Sequence, residues 1–280
     1  MVSRQFLLLL LLPLLGCDPP DPPPPPDLPV RPAASGTQFD AHQSGRLHGR
    51  IRWIGPLPVS TALESVDQPL ELASLPIRAR SNPHRLRVSK EGGLAGALVW
   101  LEGIDPARAP PWQPEPATLT MENRQLTPER MLMRLGDSLT LQSRDPFHHT
   151  LQGRGAQYFN VTLPRPELPR SRRMTQPGIV EVRSGSGAFW TRAYVLVQPH
   201  PFVALSDEQG RFAWNQVPPG RYQLHVWHPH PQVVGQERSP DTRRVVQISF
   251  GEAFEACCPV EVHTGQTARP ELSMSLGGVR

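Results

Sequence analysis

Short runs of apolar residues, most of them alternating with polar ones, recur along this chain. They are Leu47 to Trp53, Leu94 to Leu101, Ser138 to Gln142, Ile179 to Arg183 and Tyr194 to Val197. Tyr222 to His228, Arg244 to Phe250, Pro259 to His263 and Glu271 to Leu276 follow. A period of two is that of a β-strand with one buried face. In the 222–228 run it places Tyr222, Leu224 and Val226 on one face and Gln223, His225 and Trp227 on the other. Turn residues separate the runs: Glu91-Gly92-Gly93, Leu135-Gly136-Asp137, Gln176-Pro177-Gly178 and Pro218-Pro219-Gly220. No capped amphipathic helix longer than two turns is present. The 35 prolines leave little room for one, because proline lacks the N–H and clashes inside a helix. The pattern predicts an all-β protein of two Greek-key β-sandwiches.

Two regions differ in style. Residues 44–198 contain long loops, at Asp105 to Pro116 and Pro164 to Pro177, and are expected to form a first sandwich. Residues 199–280 are denser and are expected to form a second. There Asp207 to Gly210 reads as a hairpin turn into a strand, and Val217-Pro218-Pro219-Gly220 as a second tight turn.

The N-terminus adds an address. Arg4 precedes the apolar run Phe6 to Leu15, which has the length of a signal-peptide core and is too short to span a bilayer. Gly16-Cys17 ends it as a lipobox does, so residues 1–16 are expected to be removed and Cys17 lipidated. The chain then reads as an exported bacterial lipoprotein of the cell envelope, on the periplasmic face or outer surface. Several acyl chains anchor stably where one does not. Residues 17–43 are the lipidated Cys and a Pro-rich linker. Its extended run at about 3.1 Å per residue reaches roughly 50 Å.

Charge and cysteine use exclude several classes. The net charge is +4 with a single lysine, Lys90, and arginines are interspersed with acids rather than clustered with aromatics. Nucleic acid is therefore not an expected partner. Three cysteines, one of them Cys17, rule out a disulfide-stapled scaffold.

The segment SDEQGRFAWNQVPPGRYQLHVWH resembles the carboxypeptidase regulatory-like (transthyretin-like) β-sandwich, in which a D-x-x-G-x-F turn precedes a V-P-P-G-x-Y strand. The resemblance covers residues 199–280 and implies an accessory domain without catalytic machinery. Such segments also accompany rhamnogalacturonan lyases, without the lyase activity. The preceding region is similar to a cupredoxin-like domain. GGLAGALVWLEGI resembles its first core strand. NRQLTPERMLMRLGDSLTLQSRDPFHHTLQ resembles the stretch leading to a copper-binding His, which puts His148 at the first ligand position. On the same resemblance Gly185, Ala188 and Thr191 stand where Cys, His and Met ligands are usual. Blue copper needs a thiolate, two imidazoles and a weak axial ligand. The resemblance thus implies a cupredoxin scaffold without its metal, and no cofactor is expected.

Other constellations are weaker. His225, His228 and His230 sit close in sequence, with His200 and His263 elsewhere. Alternation separates His225 from His228, and Pro229 and Pro231 end the strand, so polar turn residues are expected rather than a metal site. Cys257 and Cys258 allow three states: a strained vicinal disulfide, pairing between chains, or two packed thiols. The hydrolase and phosphate-binding motifs G-x-S-x-G, H-E-x-x-H and the P-loop are absent. The six tryptophans are expected mostly to pack rather than to line a sugar platform. The function expected is a non-enzymatic, lipid-anchored binding or structural module with a polysaccharide or envelope-protein ligand. A copper electron carrier and a carbohydrate-active accessory protein are the alternatives.

Overall fold

The computed structural model describes residues 39–60, 63–66, 77–80, 82–166, 168–185, 187–241 and 245–276. These residues are all-β: apart from two single turns of 3-10 helix they contain no helix. They belong to one compact unit. The expected signal peptide, the lipidated Cys17 and the Pro-rich run lie outside the described residues.

One sandwich is built from residues 118–198. Its larger sheet orders the strands Phe159–Leu163, His149–Gly155, Gly178–Ser184, Arg192–Gln198 and Arg130–Arg134. Facing it is a sheet of Arg170–Arg173, Ser138–Ser143, Thr118–Glu122 and Gln125–Thr127. Strand alternation sends Leu119, Met121, Leu139, Leu141, Leu151 and Val182 inward, all fully buried in the core between the sheets. The segment 164–177, expected as a loop, carries the short edge strand Arg170–Arg173. Its four residues are exposed, and charged side chains on an edge discourage further strand pairing.

The second sandwich is not the C-terminal segment alone. Gly45–Trp53 pairs antiparallel with Arg211–Val217 and parallel with Glu271–Met274. Leu98–Glu102 pairs with Val203–Leu205 on one side and with Gly220–His228 on the other, and Phe254–Val262 completes that sheet. The core holds Leu47, Ile51, Val99 and Leu101 beside Phe202, Leu224 and Val262. This corrects the boundary expected at residue 199. The chain starts the second sandwich, leaves to build the whole of the first, and returns. It also corrects the placement of GGLAGALVWLEGI, whose strand lies in the second sandwich. Backbone groups pair with whatever strand comes alongside, near or far in sequence, so local pattern does not reveal the partner.

The expected turns are present. Asp207 Oδ1 accepts from the Gln209 and Arg211 N–H groups at 2.9 and 2.7 Å. Gly210 has φ +76°, and a Cβ there would overlap the Ile51 carbonyl, so the turn and the packing both demand glycine. Tyr222 donates its hydroxyl to the Pro218 carbonyl at 2.9 Å across the second turn. The two faces of Gly220–His228 are as the alternation predicts. Tyr222, Leu224 and Val226 enter the sandwich core, while Trp227 joins a separate apolar cluster with Leu98, Tyr194, Leu196 and Val203. That cluster contains residues of both sandwiches and packs one against the other.

Candidate functional site

The cupredoxin-like pole comes first, since the sequence points to it. His148 is exposed, and the buried histidine is its neighbour His149, 2% exposed. Asp145, on the loop before that strand, lies 2.8 Å from His149 Nε2 and accepts from the Asn123 and Arg124 N–H groups at 2.6 and 3.0 Å. Asn123 and Arg124 both have positive φ, so the carboxylate holds a turn that ordinary residues resist. Burial pulls His149 below the usual histidine range, against the raising effect of Asp145. Neutral His149 therefore donates from Nε2.

The other positions of the resemblance are each engaged in packing or hydrogen bonds of their own. Gly185 donates its N–H to the Thr150 carbonyl at 2.7 Å and faces the Gln152 side chain. Ala188 packs with Leu63, Trp190 and Ile248. Thr191 donates its hydroxyl to the Arg124 carbonyl, which also accepts from Trp190 Nε1. The four positions of the resemblance offer one exposed imidazole, a hydroxyl already engaged and no thiol, which does not fit blue copper. Among the described residues no group of three or more His, Cys, Asp or Glu side chains is placed to hold a metal ion.

A cleft at the junction of the two sandwiches gathers more chemistry. Its volume is about 470 Å³, within the usual range for small-molecule sites. One wall is the outer face of the larger sheet of the first sandwich. Cross-strand register lines up Arg154, Glu181, Tyr194 and Arg130 in one row, and Gln152, Arg183 and Arg192 in the next. Arg192 pairs with Glu181 and donates Nη2 to the Ile248 carbonyl at 3.2 Å. The opposite wall is the Val245–Phe250 strand, paired antiparallel with Val233–Arg238 in a separate two-stranded sheet, with Gln247 and Ser249; Trp227 and His230 also line the cleft.

Behind the cleft lies a buried polar cluster that the sequence reading missed. His84 donates Nδ1–H to the His230 carbonyl at 3.0 Å, and its Nε2 accepts from the Tyr194 hydroxyl at 2.9 Å. Burial, the leading cause, lowers His84 to about 3 and raises the Tyr194 phenol. Arg130 is 8% exposed, and burial lowers it to about 10. Its Nε and Nη2 meet no hydrogen-bonding partner among the described residues. Gly96, with φ +71°, leaves room for this guanidinium, since a Cβ there would press on Nη1. The one available signal was the alternation of Arg192 with Tyr194 and of Glu181 with Arg183, which puts each pair on one face.

The remaining expected residues disperse. His228 is fully buried and its strand ends there, so His225, His228 and His230 do not converge. His225 stacks on Trp100, with ring centroids 5.0 Å apart and 9° between planes, and its Nε2 lies 2.6 Å from Glu102. His200 is buried and lowered to about 4, mainly by that burial, while His263 lies 3.9 Å from Glu261. Cys257 and Cys258 are both free thiols on the Phe254–Val262 strand. Alternation turns them to opposite faces: Cys257 is exposed beside His225, and Cys258 packs against the second core. Trp53, Trp190, Trp214 and Trp227 are buried, and Trp100 and Trp112 partly so. No helix among the described residues is long and apolar enough to cross a membrane.

No protein-family model and no curated protein matches the chain. Solved structures do, at low identity. A copper-containing nitrite reductase from Thermus scotoductus SA-01 matches at 17% identity over 31% of this chain and 23% of its own, with a TM-score of 0.28. A purple cupredoxin from Nitrosopumilus maritimus matches at 14% over 29% of this chain and 99% of its own, with a TM-score of 0.26. A reduced amicyanin variant matches at 17% over 30% and 82%, also with a TM-score of 0.26.

Proposed function

We propose that the chain is a non-enzymatic binding module of the bacterial cell envelope, anchored through lipidated Cys17, whose ligand occupies the cleft between the sandwiches. The cleft carries this reading. One wall comes from the first sandwich and the other from the two-stranded sheet that carries Val245–Phe250, and charged and polar side chains converge on the cleft beside Tyr194 and Trp227. Ligand sites favour such junctions, where packed scaffolds hold side chains in place.

The copper reading has less support. It needs ligands that Gly185, Ala188 and Thr191 do not supply. Copper(II) added to the purified chain is expected to give no intense thiolate-to-copper band, and such a band would restore that reading.

The test of the binding reading is retention of the full chain on a panel of immobilised polysaccharides, beside a Ser249→Trp variant that fills the cleft. Retention by the wild type, lost in the variant, with no reducing ends released, is the expected result. Released reducing ends would overturn the non-enzymatic part. Crosslinking to an envelope protein with no glycan retained would move the ligand to the other class. Metabolic labelling with a fatty-acid analogue tests the anchor: label is expected on the wild type and lost in Cys17→Ala.

A further inference from the structure

We infer that the ligand of this cleft is an acidic saccharide whose carboxylate is held by Arg154 and Arg183, an inference that rests on the cleft being the binding site. Three guanidiniums and one carboxylate stand on the sheet wall: Arg154, Arg183, Arg192 and Glu181. Arg192 and Glu181 neutralise each other, with side chains 9% and 24% exposed. Arg154 and Arg183 have no ion pair among the described residues. Burial is the main cause that pulls Arg183 below the ordinary arginine value; Arg154 and Arg192 add to it, and Glu181 opposes them without cancelling them. Two cations on neighbouring strands with no anion of their own make a positive wall.

The opposite wall offers no compensation. Gln247 and Ser249 are neutral and exposed. Glu237, on the adjacent strand, engages Gln247 Nε2 at 3.3 Å and does not line the cleft. Glu181 is the one acid in the lining. Guanidinium forks match a planar carboxylate with two parallel hydrogen bonds, which an ammonium does not do. An amide and a hydroxyl across the cleft can each donate and accept, as sugar hydroxyls require. A cavity of about 470 Å³ is larger than a single inorganic anion fills and suits a short saccharide.

Isothermal titration of the full chain in detergent tests this, using a hexuronate tetramer and its methyl ester at low and high salt. The tetramer is expected to bind, more weakly as salt rises, and the ester at least tenfold more weakly. The double variant Arg154→Gln/Arg183→Gln should lose at least tenfold in affinity with its unfolding midpoint unchanged. Ser249→Trp should block both forms. Equal binding of acid and ester, both blocked by Ser249→Trp, would overturn the acidic inference and leave the cleft reading standing. Binding that survives Ser249→Trp would overturn both. Failure of both forms to bind, or displacement by inorganic phosphate at equal affinity, would overturn the saccharide inference. The polysaccharide panel would then decide the cleft reading separately.

Discussion

The Tyr194 hydroxyl lies 2.9 Å from Nε2 of His84, and this bond ties the two sandwiches together through their polar interior. Tyr194 stands on the outer face of the first sandwich. His84 belongs to the segment leading into the second and is held from behind by the His230 carbonyl. The arrangement uses the neutral imidazole with both nitrogens occupied: Nδ1–H donates and Nε2 accepts. A proton on Nε2 would reverse that bond and leave a charged imidazolium in a buried site.

That bond sets a pH dependence. His84 titrates near 6.5 in the unfolded chain and near 3 when folded, because burial disfavours its charge. Above pH 6.5 it is neutral in both states and costs nothing. As pH falls from 6.5 toward 3 the unfolded chain takes up a proton that the folded chain refuses, so stability drops by about 1.4 kcal/mol per pH unit. His200 acts in the same direction over a narrower window, from 6.5 down to about 4. Urea unfolding at pH 7 and pH 5 should show the loss, and His84→Gln should reduce the slope, leaving the part due to His200 and to buried His228, which burial also lowers. An unchanged slope in that variant would remove His84 from the account.

Asp145 is expected to be worth more than an ordinary surface carboxylate. It is 6% exposed and satisfies two turn N–H groups and His149 at once. Asp145→Ala leaves all three donors buried or strained, at a cost of about 3 kcal/mol. Asp145→Asn keeps the shape but turns one oxygen into a donor, so it should cost less. Denaturant midpoints of the two variants order them; equal losses would mean that charge matters more than shape.

Arg130 points the other way. A buried guanidinium with two nitrogens that meet no partner among the described residues is a liability, and a flexible apolar chain of similar length removes it. Arg130→Met is expected to raise stability by about 1 kcal/mol, read as a higher thermal midpoint. A fall of that size would show that an ordered water or anion satisfies the guanidinium in solution.

The two adjacent thiols should behave differently. Cys257 is exposed, while Cys258 is half-buried with its thiol raised by burial. A maleimide reagent is expected to label Cys257 rapidly and Cys258 only after unfolding. Equal labelling, or none before reduction, would contradict the opposite-face placement.

Alternation and turn chemistry were enough to read the strands and the hairpins at Asp207 and Pro218 from the sequence. Each depends on a few neighbouring residues: a period of two, an aspartate that bonds its own turn, a glycine where φ is positive. The same local rule separated His225 from His228 and turns Cys257 away from Cys258.

Everything that depends on which strand lies beside which was out of reach. Gly45–Trp53 looked like the start of the first sandwich and pairs instead with Arg211–Val217. His148 matched a motif by position, yet His149 is the residue turned inward, because the loop is shaped by Asp145 and the Asn123–Arg124 turn. Arg154, Glu181, Tyr194 and Arg130 form a row only when four strands take one register. From its sequence alone, then, this chain reads as all-β, with its local turns and an N-terminal address. The junction cleft was decided only by tertiary structure, because hydrogen-bond pairing between distant strands sets which side chains meet, and that pairing leaves no local trace.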